Sequence, residues 1–219
     1  MTKAFIFLGP PGCGKGTQTE LLAKELKLPH IDTGSLLRKN IKEETEIGII
    51  AKKFIDKGQL VPIEVVTSVI ENRLKSSDCK NGFVLDGFPR SLEQAHSLNK
   101  IINNLDFKVE LDAIYFDIPV EVLVERLVNR RSCPKCGKIY NLKTNPPKNQ
   151  NLCDDCNVEL IQRKDDTKET ALLRFETYDK ETRPLIGFYT SRGNLKTVNA
   201  NQAIEDVWDE LIQTIKIRV

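Results

Sequence analysis

The chain predicts an α/β fold, with a central, mainly parallel β-sheet covered by helices on both faces. Three observations carry this. Short apolar segments alternate with helical patterns along most of the 219 residues. The first apolar segment runs straight into a glycine-rich loop and then a helix. Several later segments end in or just before an acidic residue (Asp32, Asp86, Asp117), at the strand ends where ligands of such folds gather.

Residues 4–8, all apolar, form the first strand. Gly9-Pro10-Pro11-Gly12-Cys13-Gly14-Lys15-Gly16-Thr17 follows, then Leu21, Leu22 and Leu26 at helical spacing. This predicts a helix over about 15–27, ended by Leu28-Pro29. Strand, glycine-rich loop and helix in that order are the context of a phosphate-binding P-loop. The glycines let backbone N–H groups converge on phosphate oxygens, and the helix N-terminus faces the same anion. Lys15 would reach the outer phosphates, and Thr17 offers a hydroxyl to the Mg²⁺ sphere. The usual pattern sets Ser or Thr directly after the Lys; here Gly16 intervenes.

His30 to Gly34 read as a strand end and turn, with Thr33 or Ser35 as the cap of the next helix. Residues 35–60 are helical with a break near 46–48, and Pro62 opens a helix through Leu74. Residues 82–86 are a buried strand, and Ser91 caps a helix bearing Glu93 and Gln94 in its first turn. Residues 111–117 are the next strand, and Pro119 starts a helix carrying Val122, Leu123 and Leu127. A charged helix over about 167–181 and a strand at 195–199 follow. The last helix places Ile204, Val207, Trp208, Leu211, Ile212 and Ile215 on one stripe, with Trp208 in the core.

Residues 133–156 break this rhythm. Cys133-Pro134-Lys135-Cys136 and Cys153-Asp154-Asp155-Cys156 are separated by sixteen residues, the spacing of a tetrahedral metal knuckle. The turn-rich stretch between them lacks a core of its own, so a metal would supply its folding energy. Four thiolates leave no open position, which makes the site structural. Zinc suits a lone four-cysteine site better than iron, though the residues do not choose between them. Disulfides or redox pairs are the alternative; they fit a cytoplasmic chain poorly and lack a strand–helix context. Lys135, Lys138, Lys143 and Lys148 leave open a nucleic-acid ribbon as well as an ordinary solvated face.

Apolar residues make 40 % of the chain and charged residues 29 %, with a net charge of +2, so no bulk attraction to nucleic acid or membrane is expected. No leader or membrane span is legible, and a cytoplasmic location is expected. The positive charges that matter are local. Arg38 follows the Thr33 turn, Arg90 the Asp86 strand end, Arg126, Arg130 and Arg131 flank one base of the cysteine insert, Arg163 sits at its other base, and Arg174 lies on the next helix. Guanidinium forks bind phosphate bidentately, and phosphoryl transfer needs mostly positioning and charge neutralisation. A phosphate acceptor is already nucleophilic, so no His- or Asp-centred base is needed.

Together these residues resemble the adenylate kinase family, of the long-lid, zinc-bearing bacterial type. The resemblance covers essentially the whole chain. It rests on the P-loop with its displaced Thr17, Asp32-Thr33-Gly34-Ser35-Leu36-Leu37-Arg38, Asp86-Gly87-Phe88-Pro89-Arg90 with Gln94, Arg126 and Arg130, the cysteine pairs, Arg163-Lys164-Asp165-Asp166, and Arg174. It implies a P-loop three-layer sandwich with a helical monophosphate-binding insert and a small lid whose four cysteines bind a metal. The core would be residues 1–31, 64–126 and 165–219, the AMP-binding domain 32–63 and the lid 127–164. Gly12, Cys13, Gly14, Lys15, Gly16, Thr17, Arg126 and Tyr140 would bind ATP. Thr33, Gly34, Arg38, Gln59, Val61, Gly87, Arg90 and Gln94 would hold AMP, with Arg163 and Arg174 also reaching it. Lys15, Arg90, Arg130, Arg163, Arg174 and Asp86 would serve the transfer, Asp86 by ordering water around Mg²⁺. The implied partners are ATP, AMP and ADP, the metals Mg²⁺ and a structural Zn²⁺, and the state a monomer. The family commonly has Asp where this chain has Ser35, and a small Ser where it has Asp32, which puts helix capping there in question.

Overall fold

The computed structural model describes residues 2–216. In chain order its elements are β1 (Thr2–Leu8), α1 (Lys15–Glu25), β2 (His30–Asp32), α2 (Thr33–Lys42), α3 (Glu46–Ile55), α4 (Ile63–Leu74), β3 (Phe83–Asp86), α5 (Leu92–Asn103), β4 (Val109–Asp117) and α6 (Leu123–Val128). Then come β5 (Arg130–Ser132), β6 (Ile139–Asn141), α7 (Lys168–Thr177), α8 (Pro184–Thr190), β7 (Leu195–Asn199) and α9 (Ile204–Ile215). Five strands form one parallel sheet in the order β2-β3-β1-β4-β7. The chain leaves β1 for one side of the sheet and later crosses to the other side at β4. The loop after β1 therefore opens at the switch point, where a crevice forms outside the strand ends.

Side-chain alternation along β1 divides the core into two halves. Phe5 and Phe7 pack with Leu22, Phe116, Val207 and Leu211 on one face. Ala4, Ile6 and Leu8 pack with Ile70, Leu85, Leu98 and Tyr189 on the other. Because both faces are covered, β1 and β3 are near-continuous apolar runs, as buried parallel strands require. The α9 stripe buries Val207, Leu211 and Ile215, and Trp208 packs half-buried against that core. No helix of the described residues is long and apolar enough to cross a membrane.

Several local boundaries differ from the sequence expectation, each for a local reason. Helix α1 stops at Glu25, and Lys27 takes a left-handed φ of 53°. The break in the 35–60 segment falls at 43–45, where Glu44 is left-handed (φ 52°) and Thr45 caps α3 by accepting from the Gly48 N–H. Asp32, not Thr33 or Ser35, caps α2: its carboxylate accepts from the Gly34 N–H at 2.9 Å. Pro119 leads first into a 3-10 turn (Val120–Val122) and only then into α6. The charged helix ends at Thr177, and a π-helical turn (Tyr178–Thr182) joins it to α8.

Two small lobes rise from the sheet. In one, α2 and α3 pack around Leu37, Ala51 and Val61. The helices cross so closely at Gly48 that a Cβ there would lie 2.1 Å from the Asn40 carbonyl oxygen. The other lobe holds the cysteines. It is less featureless than its sequence suggests: β5 and β6 pair antiparallel, and Tyr140 and Leu160 pack with Cys133 and Cys153. Backbone and amide hydrogen bonds tie it to α6, from Asn141 Nδ2 to the Arg126 carbonyl and from the Leu142 N–H to the Asn129 carbonyl, each 3.0 Å.

Gly48→Ala should destabilise the protein by about 1–3 kcal/mol or more in urea unfolding, because backbone must move. Gly187→Ala in α8, where a Cβ meets no described atom within 4 Å, should stay within about 1 kcal/mol and tend towards greater stability.

Candidate active site

The glycine-rich loop delivers its backbone to the crevice. Gly14 precedes α1 with φ 97°, a left-handed value that glycine adopts freely. Among the described residues no side chain caps α1, so its first N–H groups are left for an anion. The Lys15 ammonium folds back over the loop, donating to the Gly9 carbonyl at 2.6 Å and the Pro10 carbonyl at 3.1 Å, with Cys13 Sγ 3.4 Å away. Asp86 ends β3 beside this loop. Burial and the neighbouring Asp32 push its carboxyl upward, against the pull of Lys15. Thr19 donates to it at 3.3 Å, a contact the sequence did not reveal.

On the other side of the crevice two arginines each lie over a glycine. The Arg90 guanidinium donates through Nε to the Gly87 carbonyl at 2.8 Å, and a Cβ on Gly87 would sit 2.9 Å from its NH2. The Arg90 backbone is pinned as well: its N–H donates to Gln94 Oε1 at 2.8 Å, and its carbonyl accepts from Thr182 Oγ1 at 2.7 Å. Arg38 packs over Gly34 in the same manner, with 2.9 Å between NH1 and a Cβ placed there. The buried Thr33 hydroxyl has no hydrogen-bond partner among the described residues, nor does His30 Nε2.

A third group of arginines arrives from the cysteine lobe and α7. Arg130 forms a two-pronged pair with the fully buried Asp166. Arg174 reaches Asp165 at 3.0 Å and Asp166 at 3.2 Å. Burial, then Arg130 and Arg38, push Arg163 down to about 9. Burial and Arg130 push Arg174 down to about 10. Burial also lowers Arg90, against Asp86 and Asp32. At about 9 and about 10, Arg163 and Arg174 stay protonated at neutral pH, so the group is crowded positive charge. A bound polyanion would relieve it.

The P-loop, both glycine-backed arginines and the third arginine group line one cleft of about 1040 Å³. Every sequence-predicted nucleotide residue, from Gly12 in the loop to Gln59 and Val61 before α4, is on its wall. A family model described as adenylate kinase matches residues 7–194. The chain belongs to the adenylate kinase family. It is 46 % identical over 211 residues to an adenylate kinase of Clostridium novyi, covering 96 % of this chain and 97 % of the relative. It is 46 % identical over 206 residues to one of Caldanaerobacter subterraneus subsp. tengcongensis, covering 94 % and 93 % of the two chains. For one of Clostridium perfringens the figures are 43 % over 215 residues, with 98 % of each chain covered. As a member of this family the chain is an enzyme, a kinase.

The cleft extends beyond the residues found by sequence. Ala200 and Gln202, between β7 and α9, and Ile204, the first residue of α9, line the cleft, and Arg126 donates to the Ala200 carbonyl at 3.3 Å. Their signal was positional: they follow a parallel strand end, as the P-loop does. Asp165 and Asp166 serve as counter-ions of Arg130 and Arg174. Tyr140 lines the cleft, yet its hydroxyl turns the other way, donating to Cys153 Sγ at 3.5 Å and accepting from the Asp154 N–H at 2.8 Å.

The four lobe cysteines converge. Cys133, Cys136, Cys153 and Cys156 place their sulfurs within 4.8 Å of one another, and all are free thiols. Backbone N–H groups of Lys135 and Cys136 point at Cys133 Sγ at 3.4 Å, as they would to a thiolate. This donor set fits a tetrahedral metal ion. The lobe lysines are partly spent on neighbours: Lys138 pairs with Asp155 at 2.9 Å and Lys143 with Glu125.

Burial raises the Asp165 carboxyl, but Arg174, Arg130 and Arg163 outweigh it and hold the pKa below 3.8. Its contribution to stability is therefore full above 3.8 and is lost as the pH falls through the lowered folded value. Asp165→Asn should flatten that acid limb, read as unfolding free energy between about pH 5 and 2.

Proposed function

We propose that the chain catalyses MgATP + AMP ⇌ MgADP + ADP by direct in-line transfer, as a cytoplasmic monomer. The observation that carries this is the crowding of Arg130, Arg163 and Arg174 in one cleft with a P-loop and a glycine-backed arginine pair. Such a cleft suits two phosphorylated ligands meeting end to end. The Gly12–Thr17 backbone and Lys15 take the ATP phosphates, with Arg126 and Tyr140 on the nucleoside side. Arg38 and Arg90 grip the AMP phosphate, and Thr33, Gly34, Gln59, Val61, Gly87 and Gln94 enclose its nucleoside. Arg130, Arg163 and Arg174 neutralise charge on the moving phosphoryl group and hold donor and acceptor in line.

Mg²⁺ bound with ATP supplies further charge neutralisation on the phosphate oxygens, and Thr17 and Asp86 are the residues to hold it and its waters. Zn²⁺ on Cys133, Cys136, Cys153 and Cys156 would supply folding energy and no chemistry. We read residues 1–31, 64–126 and 165–219 as the core, 32–63 as the AMP-binding domain and 127–164 as the lid. Closure of both lobes would exclude water, the competing acceptor.

Kinases for UMP, CMP or GMP are the nearest rivals. Gln94 favours AMP. Its Oε1 is occupied by the Arg90 N–H, so the free amide is a donor. A donor matches the ring acceptor on that edge of adenine, and equally of cytosine, whereas guanine and uracil present an N–H there; the long lid favours AMP over CMP.

Coupled ADP formation from ATP with each monophosphate in turn should show AMP as the preferred acceptor. Turnover with another monophosphate but not AMP would overturn the assignment. Lys15→Met should lower kcat/KM by about 100-fold or more. Chelation should lower the melting temperature more than it lowers turnover at low temperature; loss of activity with unchanged melting would contradict a structural metal.

A further inference from the structure

Arg38 has one acidic partner among the described residues, and it stands inside the AMP site. Asp32 lies at the end of β2, where its Oδ1 caps α2 through the Gly34 N–H at 2.9 Å. Its Oδ2 accepts from the Ser35 hydroxyl and, at 3.3 Å, from Arg38 NH2. The Asp32 side chain keeps 28 % exposure and that of Arg38 34 %, so the pair opens to the cleft. Asp32 is also the strand neighbour of Asp86, and its charge acts on Arg90 and Arg163 as well as on Arg38.

We propose that Asp32 competes with the acceptor phosphate for Arg38 and thereby sets the KM for AMP. The inference rests on the AMP assignment above. A phosphate offers Arg38 a two-pronged contact and about two negative charges, where Asp32 offers a single contact at the long end of the hydrogen-bond range. Phosphate therefore wins the guanidinium, but the pair with Asp32 must first break, and that cost appears in apparent affinity. Release leaves the carboxylate still held by the Gly34 N–H and the Ser35 hydroxyl, so the α2 cap survives the exchange.

The test compares wild type, Asp32→Asn and Asp32→Ser, all of which keep an N-cap acceptor. Steady-state kinetics with ATP and AMP are read together with inhibition by adenosine, which lacks the phosphate. We expect the KM for AMP to fall about two- to fivefold in the variants, the scale of one partly exposed ion pair. The KM for ATP and the inhibition constant of adenosine should not move. An AMP KM that is unchanged or raised would overturn the proposal, because Asp32 would then only position Arg38. A parallel gain for adenosine would overturn it too, since the change would be structural. If the wild type makes no ADP from ATP and AMP, the functional reading fails on its own; AMP affinity by calorimetry in the same three proteins still decides the role of Asp32, a tighter Kd supporting it. Melting curves confirm folding, and Asp32→Ser serves if Asp32→Asn does not fold.

Discussion

Repulsion among Arg38, Arg90, Arg130, Arg163 and Arg174 is the interaction around which the rest of the cleft is organised. Burial and mutual proximity drag Arg163 and Arg174 well below the ordinary guanidinium range, to about 9 and about 10. Asp165 and Asp166 offset part of that charge, and Asp32 a further part. The remainder is available to substrate phosphates. A site held in this way releases stored repulsion when an anion arrives, and it needs no reorganised solvent to stabilise the transferred group.

The fold supplies the rigidity that such crowding demands. Arg90 is fixed from three directions, by Gly87, Gln94 and Thr182, and the last of these comes from a segment remote in sequence. Thr182 belongs to the π-helical turn, so that irregular turn braces the Arg90 side of the cleft. The glycines at 34 and 87 act in parallel: each lacks a Cβ where a guanidinium approaches the backbone closely. On the P-loop side, the loop after β1 occupies the switch point of a sheet buried on both faces. The anion-binding N–H groups are thus anchored by a strand whose apolar run, Ala4 to Leu8, is buried throughout.

Much of this was legible in the chain because it is local. Strand, P-loop and helix are contiguous, the cysteine pairs carry their own spacing, and Ser91 with Gln94 reads as a cap. What was not legible depends on contacts between distant segments. The α2 cap went to Asp32, not to Thr33 or Ser35, since only the fold shows which side chain faces the free N–H groups. Tyr140 lines the cleft, and only the fold shows that its hydroxyl is held by the thiols, in a lobe core formed across β6 and the second cysteine pair. The β7–α9 loop has no motif at all, and its place in the cleft follows from sheet order alone. The helix break at 43–45 was displaced from the expected Gly48 because that glycine serves close helix packing and not chain reversal.

The proposed function requires one cleft that holds both phosphate sites. Calorimetric titration with a bisubstrate analogue, two adenosines joined by a polyphosphate chain, tests it most directly. One analogue should bind per chain, with ATP and AMP each excluded once it is bound. Two analogues per chain, or AMP binding that persists beside the analogue, would contradict it.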